Sequence, residues 1–374
     1  MVTLLKTNRK FRLFLAYDIF STLGGGIFSL FMLLSVHLLY GNALYTGIAG
    51  FLVSAPRVFS FTTGPVVDRS NKVSIIRLTT LMEFAVLALF TFTPLLENLG
   101  VMFMFSVILL YSISALFEVP AARALMPHIV AEDDIMQANV IINIVSAVAG
   151  ILLAILILVV LGGGDNIRLI YGLSTGFLAG AFLFSLFMHD PSAKTMTADK
   201  PKHHYRTDLI AGAKFLRRNV LLFFLIAYVT RSLVGSIVYV NMPAFVEYHA
   251  GAQGYIIIFV VGMLGSIIAS SLMGSMSKKF KVGQILFTLL LLAGVVRIFF
   301  ALFLPVSFIV ALVMVLVYAT LLDAGGIVNN TLEQKIPPKD MVGRVGTIST
   351  TFISISAALG ALAGGFIGYA GCRK

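Results

Sequence analysis

Of the 374 residues, 59% are hydrophobic and 11% are charged, against roughly 45–50% and about 25% in a soluble domain. So little polar surface excludes a water-soluble fold and makes lipid the solvent for much of the chain. The formal charge of +11 would suit a nucleic-acid binder if the protein were soluble, but here the cations cluster between apolar runs, where they set membrane topology instead. The single cysteine, Cys372, excludes an internal disulfide and a cysteine-based metal site.

A helix of about 20 apolar residues crosses the hydrocarbon, and eleven such runs follow one another. The first six cover 14–39, 44–63, 74–95, 101–120, 139–161 and 167–188. The other five cover 220–245, 254–276, 283–304, 306–328 and 346–369. Each is predicted to be helical, because lipid offers no partner to an unpaired backbone amide. The first run is too long for a removable signal peptide.

Lysine and arginine alternate from side to side. With the N-terminus inside, the cytoplasmic segments carry Lys6, Arg9, Lys10 and Arg12, then Arg69, Lys72 and Arg77, then Arg123. The loop at 189–219 adds Lys194, Lys200, Lys202, Arg206, Lys214, Arg217 and Arg218. Two later loops hold Lys278, Lys279 and Lys281, then Lys335, Lys339 and Arg344. On the outer side only Arg168, at the start of the 167–188 run, and the terminal pair Arg373 and Lys374 are basic. This bias predicts a cytoplasmic N-terminus.

The organisation expected is an N-terminal six-helix bundle over 1–188, a central cytoplasmic loop over 189–219, and a C-terminal bundle over 220–374 in which five helices are seen. The loop reads as a solvated connector ending in an amphipathic stretch on the inner membrane face. Gly64-Pro-Val-Val-Asp-Arg after the second span and Gly274-Ser-Met-Ser-Lys-Lys after the eighth occupy matching points of two repeats. Parallel six-helix repeats joined by a cytoplasmic loop are a transporter design. On that count a twelfth helix is missing, and a truncated or frameshifted end is the simplest reading.

Gly64-Pro-Val-Val-Asp68-Arg69-Ser-Asn-Lys72 resembles the loop signature of the major facilitator superfamily, G-x-x-x-D-R-x-x-R/K. Three segments resemble the macrolide-efflux and enterobactin-exporter branch of its drug:proton antiporters. They are Pro120-Ala-Ala-Arg123-Ala-Leu-Met-Pro127, Asp134-Ile-Met-Gln-Ala138-Asn139 and Gln334-Lys-Ile-Pro-Pro-Lys-Asp-Met-Val-Gly343-Arg344-Val345. The resemblance implies an all-α membrane fold of two six-helix bundles rocking around a central cavity. It also implies that Asp68 docks at the N-terminus of the eleventh helix near Gly343 in one state only, with Arg123 and Arg344 supplementing the contact. Gly64, Asp68, Arg69, Lys72, Arg123, Gly343 and Arg344 are thus the gating candidates; the alternative is that Asp68-Arg69 merely caps a tight turn. One departure is the lack of proline in Ala149-Gly150-Ile151-Leu152, where antiporters of the superfamily often carry Gly-Pro.

Ionisable groups within the spans are costly and mark function or pairing. Asp18, beside the run Gly24-Gly25-Gly26, and Glu83 are candidates for a proton-coupling acid; the alternative is static pairing with a cation such as Arg57. Glu118 and Asp323, near equivalent ends of their spans, are expected to pair with loop cations, a structural role. Arg231 and Arg297 are candidates for an anionic substrate group, or else neutralise a buried acid. Asn139, Asn143, Asn241, Asn329 and Asn330 read as interhelical hydrogen-bonders. Gly162-Gly-Gly164-Asp165 lacks the Lys-Ser/Thr of a phosphate loop, and no catalytic constellation or metal-ligand spacing is present, so neither enzyme chemistry nor a cofactor is expected.

The function that the resemblance implies is proton-coupled efflux of small amphipathic or cationic drugs such as macrolides from a bacterial inner (plasma) membrane. The expected partners are a small-molecule substrate, protons and the lipid bilayer, with no nucleic acid and a monomeric chain. A siderophore or metabolite exporter on the same fold and a truncated, non-transporting paralogue are the alternatives.

Overall fold

The computed structural model describes residues 2–92, 95–131, 134–162, 167–190, 213–276, 282–337 and 342–371. Among these the secondary structure is helical, as a lipid-solvated backbone requires. A short α1 (Val2–Thr7) leads into α2 (Arg9–Tyr40), α3 (Ala43–Ser54) and α4 (Ser60–Arg69), the last two joined by a 3₁₀ turn at Pro56–Phe59. Then come α5 (Lys72–Phe92), α6 (Leu95–Ile129), α7 (Ile135–Gly162) and α8 (Ile167–Leu186). The remainder is α9 (Leu221–Met276), α10 (Val282–Phe303), α11 (Phe308–Lys335) and α12 (Val342–Gly371).

Nine helices among the described residues are long and apolar enough to cross a membrane, with Phe287–Phe303 a shorter apolar one. One of the nine, Leu221–Ala269, is two spans read as one, because Gly251 at φ 70°, ψ 172° breaks the helical path of α9. The protein is therefore a multi-pass membrane protein. Side chains such as Phe92, Val306 and Ile309 stand exposed where lipid would solvate them.

Local chemistry sets the joints. Asn8 caps α2 by accepting from Phe11 N at 3.0 Å, and Gly41 ends it in the left-handed conformation, its N–H donating to His37 O. Asn42 then caps α3 through Leu44 N at 2.9 Å, which makes a tight reversal between neighbouring spans. Asn71 caps α5 through Ser74 N at 2.9 Å.

The described chain forms two compact units. The first comprises 1–202, 233–241 and 354–374, the second 203–232 and 242–353. In the first, α2 packs on α7 and α8, and α5 on α6 and α8. The run Gly24-Gly25-Gly26 of α2 serves three neighbours. A Cβ on Gly24 would meet Leu178 of α8, one on Gly25 the Tyr111 hydroxyl of α6, and one on Gly26 Leu153 of α7. In the same unit α3 and α12 approach until a Cβ on Gly47 would lie 2.5 Å from Gly365 Cα.

At the end of this unit that carries the N-terminus, side chains tie helix ends together. Asn8 Nδ2 donates to Ile129 O at 2.8 Å. Arg77 donates to Ser185 O, Leu186 O and Met188 O at 3.0, 3.1 and 2.7 Å, covering carbonyls that the end of α8 leaves free. In the second unit, α10 packs along α11, and α9 meets α11 at Gly265, whose carbonyl accepts from Thr320 Oγ1 at 3.2 Å.

Candidate functional site

The first unit holds an acidic cluster within its spans. Glu83 lies eleven residues from the start of α5 and Glu118 eleven from the end of α6. At 1.5 Å per residue both sit about 16 Å from that end of the bundle, near the middle of a hydrocarbon layer roughly 30 Å thick. The two carboxyl groups face each other. Glu118 Oε1 accepts from the Tyr17 hydroxyl and from Ser21 Oγ at 2.8 Å. Tyr17 and Ser21 are one helical turn apart on α2, so both reach the same acid.

Glu83 is arranged otherwise. It is 1% exposed, and neither carboxyl oxygen has a hydrogen-bond donor. Asp18, next to Tyr17, is only partly buried; it accepts from Ser146 Oγ of α7 at 3.5 Å and lies within electrostatic reach of Glu118. No ion pair of these three acids is found among the described residues, and Arg57, the sequence-based partner for Asp18, stands exposed on the 3₁₀ turn.

The second unit holds partly buried cations within its helices. The Arg297 guanidinium lies 5.0 Å from the ring centroids of both Phe300 and Tyr318 and donates to Met242 Sδ at 3.6 Å. Aromatic faces attract a desolvated cation but leave most of its donors available to a planar anion. Arg231 stands 5.4 Å from the Tyr228 ring. Asp323 accepts from Ser266 Oγ.

A family model described as Major Facilitator Superfamily matches residues 13–361. The chain belongs to this superfamily. Among solved structures, the nucleoside transporter NupG is similar at TM-score 0.74 and 16% identity, over 95% of this chain and 90% of that one. A bacterial homologue of the human lysosomal transporter Spinster, inward-facing and unoccupied, is similar at TM-score 0.68 and 15% identity, over 96% and 82%. A bacterial homologue of the iron transporter ferroportin, inward-facing, is similar at 0.66 and 13% over 97% of both chains. At these identities the likeness concerns the fold. No curated protein matches the chain.

As a superfamily member the chain is a membrane transporter, and its sequence-derived site residues fall into several places. Gly64, Asp68 and Arg69 lie toward the end of α4 and Gly343 and Arg344 in the first turn of α12; the side chains of Asp68, Arg69 and Arg344 lie outside the described residues. Lys72 is buried, and its backbone N–H donates to Asp190 Oδ2 at 2.8 Å. Arg123 is exposed on α6. Most of the central loop lies outside the described residues, as do Gly163 to Asp165, Lys278, Lys279, Lys281 and Lys339.

Glu118 and Asp323 were expected against loop cations; the recorded partners are Tyr17 and Ser21 for the first and Ser266 for the second. Tyr17, Ser21, Ser146, Tyr318 and Met242 escaped sequence reading. The one available signal was Tyr17 and Ser21 at a four-residue spacing flanking Asp18. Asn241 is the interhelical bonder expected, donating to Gly364 O at 2.9 Å. Asn329 instead donates to Glu333 in its own helix at 3.3 Å.

Proposed function

We propose that the protein is a proton-coupled secondary exporter of small amphipathic or cationic organic molecules, set in a plasma membrane with its N-terminus in the cytoplasm. The observation that carries this reading is the set of acids inside the first unit of a superfamily transporter, with no recorded ion pair among the described residues. A static charge would be expected to have a counter-ion, because an unpaired buried charge is expensive. Acids kept without one suit a group that gains and loses a proton during a cycle. Asp18 and Glu83 are the coupling candidates, and the loop Gly64 to Lys72 with Arg123, Gly343 and Arg344 is the gate. The cationic segments favour the cytoplasmic side for that loop.

The test is a drug-susceptibility panel in an efflux-deficient host, followed by transport in everted vesicles. Expression should raise resistance to amphipathic cations, and a protonophore should abolish the transport. D18N and E83Q should each be scored for uphill efflux against downhill exchange. If both retain full uphill efflux, the coupling assignment is wrong; if no compound is exported, the drug reading is wrong.

Arg297 favours a second reading, export of a metabolite or siderophore bearing an anionic group. Its guanidinium is held by two rings and a thioether, which leaves it able to bind a carboxylate or phosphate. Under this reading R297A abolishes transport of an anionic substrate and R297K fails to restore it, since lysine lacks the bidentate fork. Unchanged transport in R297A would remove the arginine from the substrate path.

A further inference from the structure

Two carboxylates buried face to face cannot both stay ionised at low cost. Each loses hydration, and each repels the other in a medium that screens poorly. The environments of Glu83 and Glu118 break the symmetry between them. Glu118 receives two hydroxyl donors, from Tyr17 and from Ser21 at 2.8 Å, which is the setting of a carboxylate. Glu83 receives no protein donor on either oxygen and, at 1% exposed, lies away from bulk water. A buried acceptor left in this state loses the full value of its hydration. A proton on Glu83 resolves every term together: it removes one charge and turns Glu83 into a donor, aimed at Glu118.

We propose that Glu83 and Glu118 form a single-proton binding site in which the carboxyl O–H of Glu83 donates to the carboxylate of Glu118. Loading adds one proton to the pair and unloading returns one to water, with no other bond made or broken. Glu118 becomes the acceptor that holds the proton in register rather than a static structural charge. Tyr17 and Ser21 are positioning residues that hold the Glu118 carboxyl in place as the acceptor. An O–H donor to a carboxylate makes a short, strong, charge-assisted bond, so the loaded pair also pins α5 to α6.

The groups around the pair agree with this assignment. α2 contributes Tyr17, Ser21 and Asp18, the last within electrostatic reach of Glu118. α5 places Thr80 beside Tyr17, and α6 places Tyr111 near both acids. No described residue of α7 or α8 brings a cation into contact with either acid; α7 presents Ser146 to Asp18. The occupant is a proton rather than a larger cation. Among the described residues no group of three or more His, Cys, Asp or Glu side chains is placed to hold a metal ion. A proton, by contrast, needs no cavity and only one acceptor.

The proposal deepens the proton-coupled reading, yet its test needs no substrate. Infrared difference spectra of the full chain in lipid would be recorded in H₂O and D₂O near neutral pH, following the carbonyl stretch of protonated carboxyl groups. The wild type should show a deuterium-sensitive band that E83Q abolishes, because Glu118 then has Tyr17, Ser21 and the new amide as donors. E118Q should keep the band at a shifted frequency, since Glu83 loses its carboxylate acceptor, and Y17F should shift it less. A band that survives E83Q, or that E118Q leaves unmoved, overturns the assignment. Loss of the wild-type band on adding sodium ion, with proton concentration held constant, overturns the identity of the occupant. Monodispersity and thermal unfolding in detergent exclude misfolding for each variant. If the spectra behave as stated while the drug panel shows no export, the site stands and the transport reading alone fails.

Discussion

A residue's neighbours in space decide what its ionisable group does, and the acids of this chain illustrate this. Asp18, Glu83, Glu118 and Asp323 were each visible in the sequence as charges within apolar runs. That Glu83 faces Glu118 while Asp323 meets Ser266 was not visible, because those contacts join residues far apart in the chain. Glu333 was overlooked, being four residues beyond the end of its span at Asn329. Burial pushes its carboxyl above the usual range, with Ser349 and Asn329 pulling the other way. The native state therefore binds the Glu333 proton more tightly than the unfolded chain does. The penalty is absent below the ordinary carboxyl value of 4.5 and develops as pH rises through the elevated one. E333Q is expected to unfold at a higher temperature than wild type at neutral pH, with the gap closing in acid. Thermal unfolding in detergent at both pH values measures it.

At the scale of elements, small residues set how closely helices approach. Gly360, Gly364 and Gly368 recur every fourth residue along α12, where added Cβ atoms would meet Leu233, Ile237 and Asn241 of α9. Such spacing is the signature of helices packed backbone to backbone in lipid. It was legible as a glycine-rich stretch but not as a particular seam, since the sequence does not name the partner. G47L is expected to destabilise the first unit by about 1–3 kcal/mol, an overpacking cost, because its side chain would enter the backbone of α12. G176L, at a glycine with open space around it, is the control and should leave the unfolding temperature nearly unchanged. Gly251 acts differently, since φ 70° and ψ 172° form a region open essentially to glycine alone. G251A should cost about 1–3 kcal/mol of backbone strain, read as a lower unfolding temperature.

For the whole molecule the governing quantity is the polarity of the surface. With 59% hydrophobic and 11% charged residues, the purified chain should aggregate on removal of detergent and remain monodisperse in it. Size-exclusion chromatography decides the point. The orientation rests on the cation bias and is open to the same kind of check. In a C372S background, which removes the one cysteine, a cysteine at 200 should resist an impermeant thiol reagent in intact cells and react in everted vesicles. Labelling of that position from outside would invert the topology.

The sequence alone determined the solvent, the helical class, the positions of the spans and the superfamily. All four depend on composition summed along contiguous stretches, and lipid punishes any exception to them heavily. Only the tertiary structure decided that Glu83 and Glu118 oppose each other, that Tyr17 and Ser21 converge on one of them, that Arg297 rests on two rings, and that Gly47 meets Gly365. Each of these joins different helices. Nearly uniform apolar helices carry little record of which face meets which neighbour, so the pairing emerges only when they pack.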